Sequence, residues 1–394
     1  MFGICLALLL TTATPSFEAT TLDGRTVVGP IVEVTPQRLT MVTDKGKISI
    51  PVETLLTVVP KTKPQAVDAP VVVQLADGSS IRGQRYVADA DHARITLAGG
   101  EVVETPIGAV QSVLCGALPT AELRSDWSRL AAMKTDTDLL IIRSGGGLDY
   151  QKGILHDVTE KVVRFDLDGE TLPVKRSKVV GLVYHHGAAA ELPAAICRIT
   201  DTAGAVWQVR SLALDKNLKW TTPAGATVSQ PCENIAGIDF SAGKLLYLSD
   251  LKPDSIAWTP YFSLRAPPAA VKRFFAPRFD RDFDSPVLRL GRVEYPKGIA
   301  LRSRTELVYR LPERFSRFLA VAGIADAVRP DGKVRLVVRG DDKILLDAEF
   351  TGGDAPRPID LDLTGVRRLT ILVDFDQGIN RADHLLLCNA RMSK

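Results

Sequence analysis

A single phrase recurs along the first two-thirds of the chain: an apolar strand, a Gly-centred turn, two more short strands, and a closing strand introduced by Pro. Self-similarity at this period restricts a chain to a tandem array, because each unit is one supersecondary motif. The first copy, within 17–60, reads Thr21-Leu22-Asp23-Gly24-Arg25-Thr26-Val27-Val28-Gly29, then Arg38 to Val42, Lys47 to Pro51 and Leu55 to Val59. The second, within 70–116, has Asp77-Gly78-Ser79-Ser80-Ile81-Arg82-Gly83, Ala93 to Leu97, Glu101 to Pro106 and Ala109 to Leu114. The third (138–185) turns at Gly145-Gly146-Gly147 and at Asp168-Gly169, and the fourth (194–242) at Ala203-Gly204 and Ala224-Gly225. Asp-Gly between alternating apolar residues predicts a hairpin, since the turn needs a positive φ that Gly adopts without strain.

Each copy therefore predicts a meander of four or five short strands, which resembles a small Sm-like or SH3-like barrel, where curling the sheet removes exposed edges. The linker 117–137 breaks the pattern: Leu123, Trp127, Leu130 and Ala131 recur at spacings of three and four, so the stretch from Thr120 to Met133 predicts one amphipathic helix. His185-His186 reads as loop, since neighbours on a strand point to opposite faces and cannot converge on a metal.

The N-terminal apolar run Ile4 to Leu10, followed by small residues up to Ser16, has the shape of a signal peptide over 1–16, so a secreted, periplasmic or extracellular location is expected. No other run is long and apolar enough to span a bilayer. Removal of Cys5 with the signal leaves Cys115, Cys197, Cys232 and Cys388, an even number that suits an oxidising compartment. Cys197 and Cys232 fall near the first and last strands of the fourth copy, so a bridge between them is one of three pairings; four buried thiols are the alternative. Lys and Arg number 49 against 46 Asp and Glu over 394 residues, too even a balance for a nucleic-acid-binding surface.

From 243 to 394 the repeat is gone. Alternating strands are expected at Glu306 to Leu311, Phe315 to Ala322, Val334 to Val338, Lys343 to Phe350, Arg357 to Leu363, Leu369 to Phe375 and His384 to Ala390. Asp331-Gly332 and Arg339-Gly340-Asp341-Asp342 are the expected hairpin turns, and the whole predicts a two-sheet sandwich. The fold class is thus all-β: tandem small β-barrel or meander repeats followed by a C-terminal β-sandwich.

The phrases Tyr295-Pro296-Lys297-Gly298-Ile299, Glu306-Leu307-Val308-Tyr309-Arg310-Leu311, Phe315-Ser316-Arg317-Phe318, Lys333 to Lys343, Leu369 to Val373 and Ala382-Asp383-His384 resemble the NPCBM module found beside family 98 glycoside hydrolases. The resemblance implies a galactose-binding-like jelly roll and a glycan or polysaccharide as partner. The expected sugar-binding side chains are Trp258, Tyr261, Asp376, Asn380, Arg381 and Asp383, which combine bidentate polar groups with an aromatic platform. Jelly rolls of this type carry a structural ion, which makes Asp374, Asp376 and Asp383 the candidate calcium donors; no other cofactor is expected. One departure stands out: Leu387 occupies the position where the module commonly has Trp, so a stacking ring is expected to be missing there.

Catalysis is not expected. The sequence has no G-x-S-x-G, H-E-x-x-H, P-loop or Rossmann glycine signature, and Asp280-Arg281-Asp282-Phe283-Asp284 reads as a solvated loop. The alternative to glycan binding is a structural or adaptor protein of the cell envelope, with repeats that contact other proteins and a sandwich that no longer holds sugar.

Overall fold

The computed structural model describes residues 15–22, 24–187, 191–260, 267–375 and 382–394. The signal-peptide expectation over 1–16 thus falls almost wholly outside the described residues. The chain divides into two compact units, Met1–Ala242 and Gly243–Lys394, and among the described residues its regular structure is two α-helices, short 3₁₀ turns and otherwise strands. Neither helix is long and apolar enough to cross a membrane.

In the first unit the repeated phrase becomes a repeated closure. Copy one runs Phe17–Thr21, Thr26–Gly29, Ile31–Val34, Arg38–Thr43, Gly46–Pro51, a 3₁₀ turn Val52–Thr54, and Leu55–Pro60. Its first strand is central: Ala19 pairs with Val27 on one side and with Val58 of the last strand on the other. The other copies repeat this, with Val73 between Ile81 and Val113, Leu140 between Gln151 and Leu182, and Ile199 between Trp207 and Ile238. Pro51, Pro106 and Pro231 each introduce the 3₁₀ turn that redirects the chain into the closing strand. A residue without an N–H fits there, because the sheet ladder has just ended.

The glycine that ends the second strand of copy one, and its counterpart within the long strand of copy three, have their own cause. A Cβ at Gly29 would lie 1.8 Å from the Val42 carbonyl oxygen, and one at Gly153 in the third copy 2.0 Å from that of Asp166. These are creases where one strand of the meander folds tightly against the next. In the third copy the second and third strands of the others are one long strand, Gly147–Val158, that passes through this crease.

The copies are not beads on a string. Ser112 pairs with Val183, joining copies two and three, and Ile238 with Val58, joining four and one. Glu104–Thr227 and Val206–Ser80 bridges join two and four. The neighbour order is therefore one, four, two, three, around one continuous apolar core that includes Phe17, Tyr86, Phe165 and the edge-to-face pair Trp207 and Trp220. The turn residue Asp77 strengthens one seam: it accepts from Ser79 N of its own turn (2.8 Å) and from Ala224 N of copy four (2.9 Å).

The linker helix is Ala121–Ala131. Thr120 caps it by accepting from Leu123 N, and Leu123 and Leu130 are buried. Trp127 packs on Gly181, where a Cβ would come within 2.1 Å of the ring. No bridge joins Cys197 to Cys232: Cys197 is buried in the core, Cys232 lies in the 3₁₀ turn, and both are thiols.

The second unit is a sandwich of two antiparallel sheets. One has the order Arg278–Phe279, Gly298–Arg302, His384–Ser393, Arg317–Ile324, Arg357–Asp362, with Leu245–Tyr247 beside the end of His384–Ser393. The other has the order Ser255–Trp258, Thr305–Arg310, Arg368–Phe375, Lys333–Gly340, Lys343–Thr351. Leu301, Leu307, Phe318, Val334, Ile371 and Leu387 fill the space between them. Arg339 to Asp342 makes the expected hairpin turn, with Asp341 at φ 52°. Asp331-Gly332 does not: it lies on the crossover from Arg317–Ile324 in one sheet to Lys333–Gly340 in the other.

Candidate functional site

Several expected residues meet at one end of this sandwich. Register puts Trp258 opposite Thr305, Thr305 opposite Val373, and Arg302 opposite His384, so the ends of five strands and the turn Ser303-Arg304 share one edge. Tyr261, Asp376, Asn380 and Arg381 lie outside the described residues.

The two expected carboxylates that are described are already engaged. Asp383 is buried; its Oδ2 accepts from Ser303 Oγ (2.8 Å) and its Oδ1 from Lys333 N (3.3 Å), so it braces two connections instead of facing a ligand. Asp374 pairs with Arg304 Nε at 3.4 Å. The third expected calcium donor, Asp376, lies outside the described residues. Among the described residues no three His, Cys, Asp or Glu side chains gather to hold a metal. Leu387 is fully buried in the core, opposite Ile299, so a ring at that position would pack inside the sandwich, and its absence removes no sugar platform.

The centre of this edge is a residue the sequence did not single out. Arg302 is 6% exposed, and its guanidinium carbon lies 3.6 Å from the ring centre of Phe274 and 4.4 Å from that of Phe283. Stacking between two rings suits a planar, weakly hydrated cation. Among the described residues its Nε nevertheless has no hydrogen-bond partner, nor has the buried Nε1 of Trp258, whose ring stacks on Phe275 at 4.3 Å and 14°. Two buried donors left open at one edge are costly unless something accepts from them.

The surroundings tune these groups. Burial lowers the pKa of Arg302, while Asp284 and Asp282 support its charge. Burial also raises the Asp282 carboxyl, despite a hydrogen bond from Phe283 N; its neighbours Arg281 and Asp284 are exposed. Asp280 takes Lys297 Nζ at 2.8 Å and Gly298 N at 3.1 Å, tying this stretch to the Tyr295 to Ile299 phrase. His384 packs against Phe283 and is held down to about 4, by burial first and by Arg302 second, so it is neutral at physiological pH. The arrangement offers open donors, nearby carboxylate acceptors and the 55% exposed face of Phe274. The adjacent Phe274-Phe275 and the Arg302-Ser303-Arg304 turn were the sequence signals for it.

Comparison with known proteins places this unit. Residues 247–393 match the model of the NPCBM/NEW2 domain. A Renibacterium salmoninarum protein named for endo-alpha-N-acetylgalactosaminidase activity is 33% identical over 91 residues, which are 23% of this chain and 6% of that protein's length. Among solved structures, the CBM51 module of a Clostridium perfringens GH95 protein in complex with methyl-galactose is 19% identical, with a TM-score of 0.32, covering 38% of this chain and 99% of that one. The tandem CBM51 modules of the family 98 glycoside hydrolase from Streptococcus pneumoniae SP3-BS71 are 11% identical, also at 0.32, covering 64% and 88% respectively. The NPCBM/NEW2 match lies wholly within the C-terminal unit, Gly243–Lys394.

Proposed function

We propose that this is a secreted, non-catalytic glycan-binding protein whose C-terminal unit takes a neutral, hydroxyl-rich sugar at the sandwich edge around Arg302. One observation supports this most: a guanidinium 6% exposed between two phenyl rings, with an open Nε donor, in the unit that matches the NPCBM/NEW2 domain. Sugar hydroxyls accept from such a donor and donate to Asp282 and Asp284, while the less polar face of the ring covers an exposed phenyl. The repeats serve as the scaffold that presents this unit at the cell envelope.

A glycan-array screen of the full chain, beside Arg302→Ala and Arg302→Lys, tests the proposal. Binding lost in Arg302→Ala and weakened in Arg302→Lys, with unchanged melting, supports it. A folded wild-type chain silent on neutral glycans would shift the reading to an envelope adaptor.

A further inference from the structure

The second sheet has an outer face that the loop-end site does not use. A groove of about 1570 Å³ runs over it, floored by Val308 and Thr370 and walled by the 364–368 turn. Arg310 and Arg368 stand directly opposite each other on neighbouring strands, and Arg339 lies across from Thr370, diagonal to Arg368. Like charges facing one another across a sheet destabilise it, so such a pair is not explained by the fold. Arg310 is compensated from outside the groove by Asp254 at 3.4 Å, and Lys394 within it by Glu313 at 2.7 Å. Arg314, Arg339, Arg367 and Arg368 enter no ion pair within 4 Å among the described residues. Asp341 accepts from the backbone N–H groups of Arg367 and Arg368, which fixes the wall and directs these arginines from a rigid turn.

We infer that this groove is a second glycan-binding surface, for an acidic polysaccharide in which a uronate or sulfated sugar alternates with a neutral one. Guanidinium groups meet carboxylates and sulfates in bidentate fashion. Glu306 and Asp342 lie in the same groove, where they accept from sugar hydroxyls and repel a polymer of unbroken negative charge such as a nucleic acid. Phe315, the groove's one aromatic, is 3% exposed, so no ring is offered for base stacking. The inference goes beyond the Arg302 reading and does not depend on it.

The test is affinity electrophoresis of the full chain through gels containing hyaluronan or chondroitin sulfate, against gels with the same polymers after carboxyl reduction and desulfation. The Arg339→Ala/Arg368→Ala double variant and Arg302→Ala are run alongside, with melting temperatures as the folding control. Retardation by an acidic polymer should vanish with its charge, weaken with added salt and persist in Arg302→Ala. The dissociation constant of the double variant should rise by roughly tenfold, as loss of charge-assisted contacts implies. No retardation by either polymer, equal retardation by the neutralised ones, or a folded double variant that binds like the parent overturns the inference. Equal competition by duplex DNA overturns the ligand class.

Discussion

Asp201 shows how much one buried carboxylate can organise. It is 4% exposed and accepts from Ala203 N (3.0 Å), Ala205 N (2.9 Å) and Trp207 Nε1 (3.1 Å), so it sets the first turn of copy four and orients the tryptophan at its core. Asp201→Ala leaves three inward donors open and is expected to cost roughly 3 kcal/mol or more, read as a lower denaturant midpoint. Asp201→Asn keeps an acceptor oxygen and should cost less. His384 gives the residue-scale pH response. Its folded pKa, about 4, lies below the ordinary 6.5, so between those values the unfolded chain binds the extra proton. The contribution to stability is complete above about pH 6.5 and is lost as pH falls toward 4; His384→Gln should flatten that stretch of the C-terminal unit's stability profile.

At the level of elements, the strands were legible because alternation and Gly-centred turns are local properties. The expected strand from Val334 to Val338 is part of Lys333–Gly340, and the helix expected from Thr120 to Met133 is Ala121–Ala131. The 3₁₀ turns were read only as a Pro before a strand, since nothing local distinguishes a strand that continues from one that turns out of its ladder. The site was less legible. Trp258 ends its strand at the edge that also holds Arg302, whereas Asp383 and Leu387 are buried, and the inside or outside of a strand end depends on the opposing sheet. Arg302 was missed because its meaning comes from Phe274 and Phe283, which approach it only in the folded unit. The crease glycines give a test at this scale. Gly153→Ala puts a methyl against the Asp166 carbonyl oxygen and should destabilise the first unit by about 2 kcal/mol or more, whereas Gly146→Ala, with open space around it, should have little effect.

For the molecule as a whole, each unit has its own apolar core, so calorimetry should resolve two transitions, and Gly153→Ala should move one of them alone. The neighbour order of the copies bears on synthesis. Val58 pairs with Ile238, a separation of about 180 residues, so at common elongation rates the last strand of copy one waits on the order of ten seconds or more on the ribosome before its partner strand exists. During that interval it presents an unpaired edge, and a nascent chain stalled before copy four should be a preferred client of holding chaperones. The same order blocks growth at one seam: a fifth copy appended after the fourth would find the closing edge of copy four already occupied by copy one.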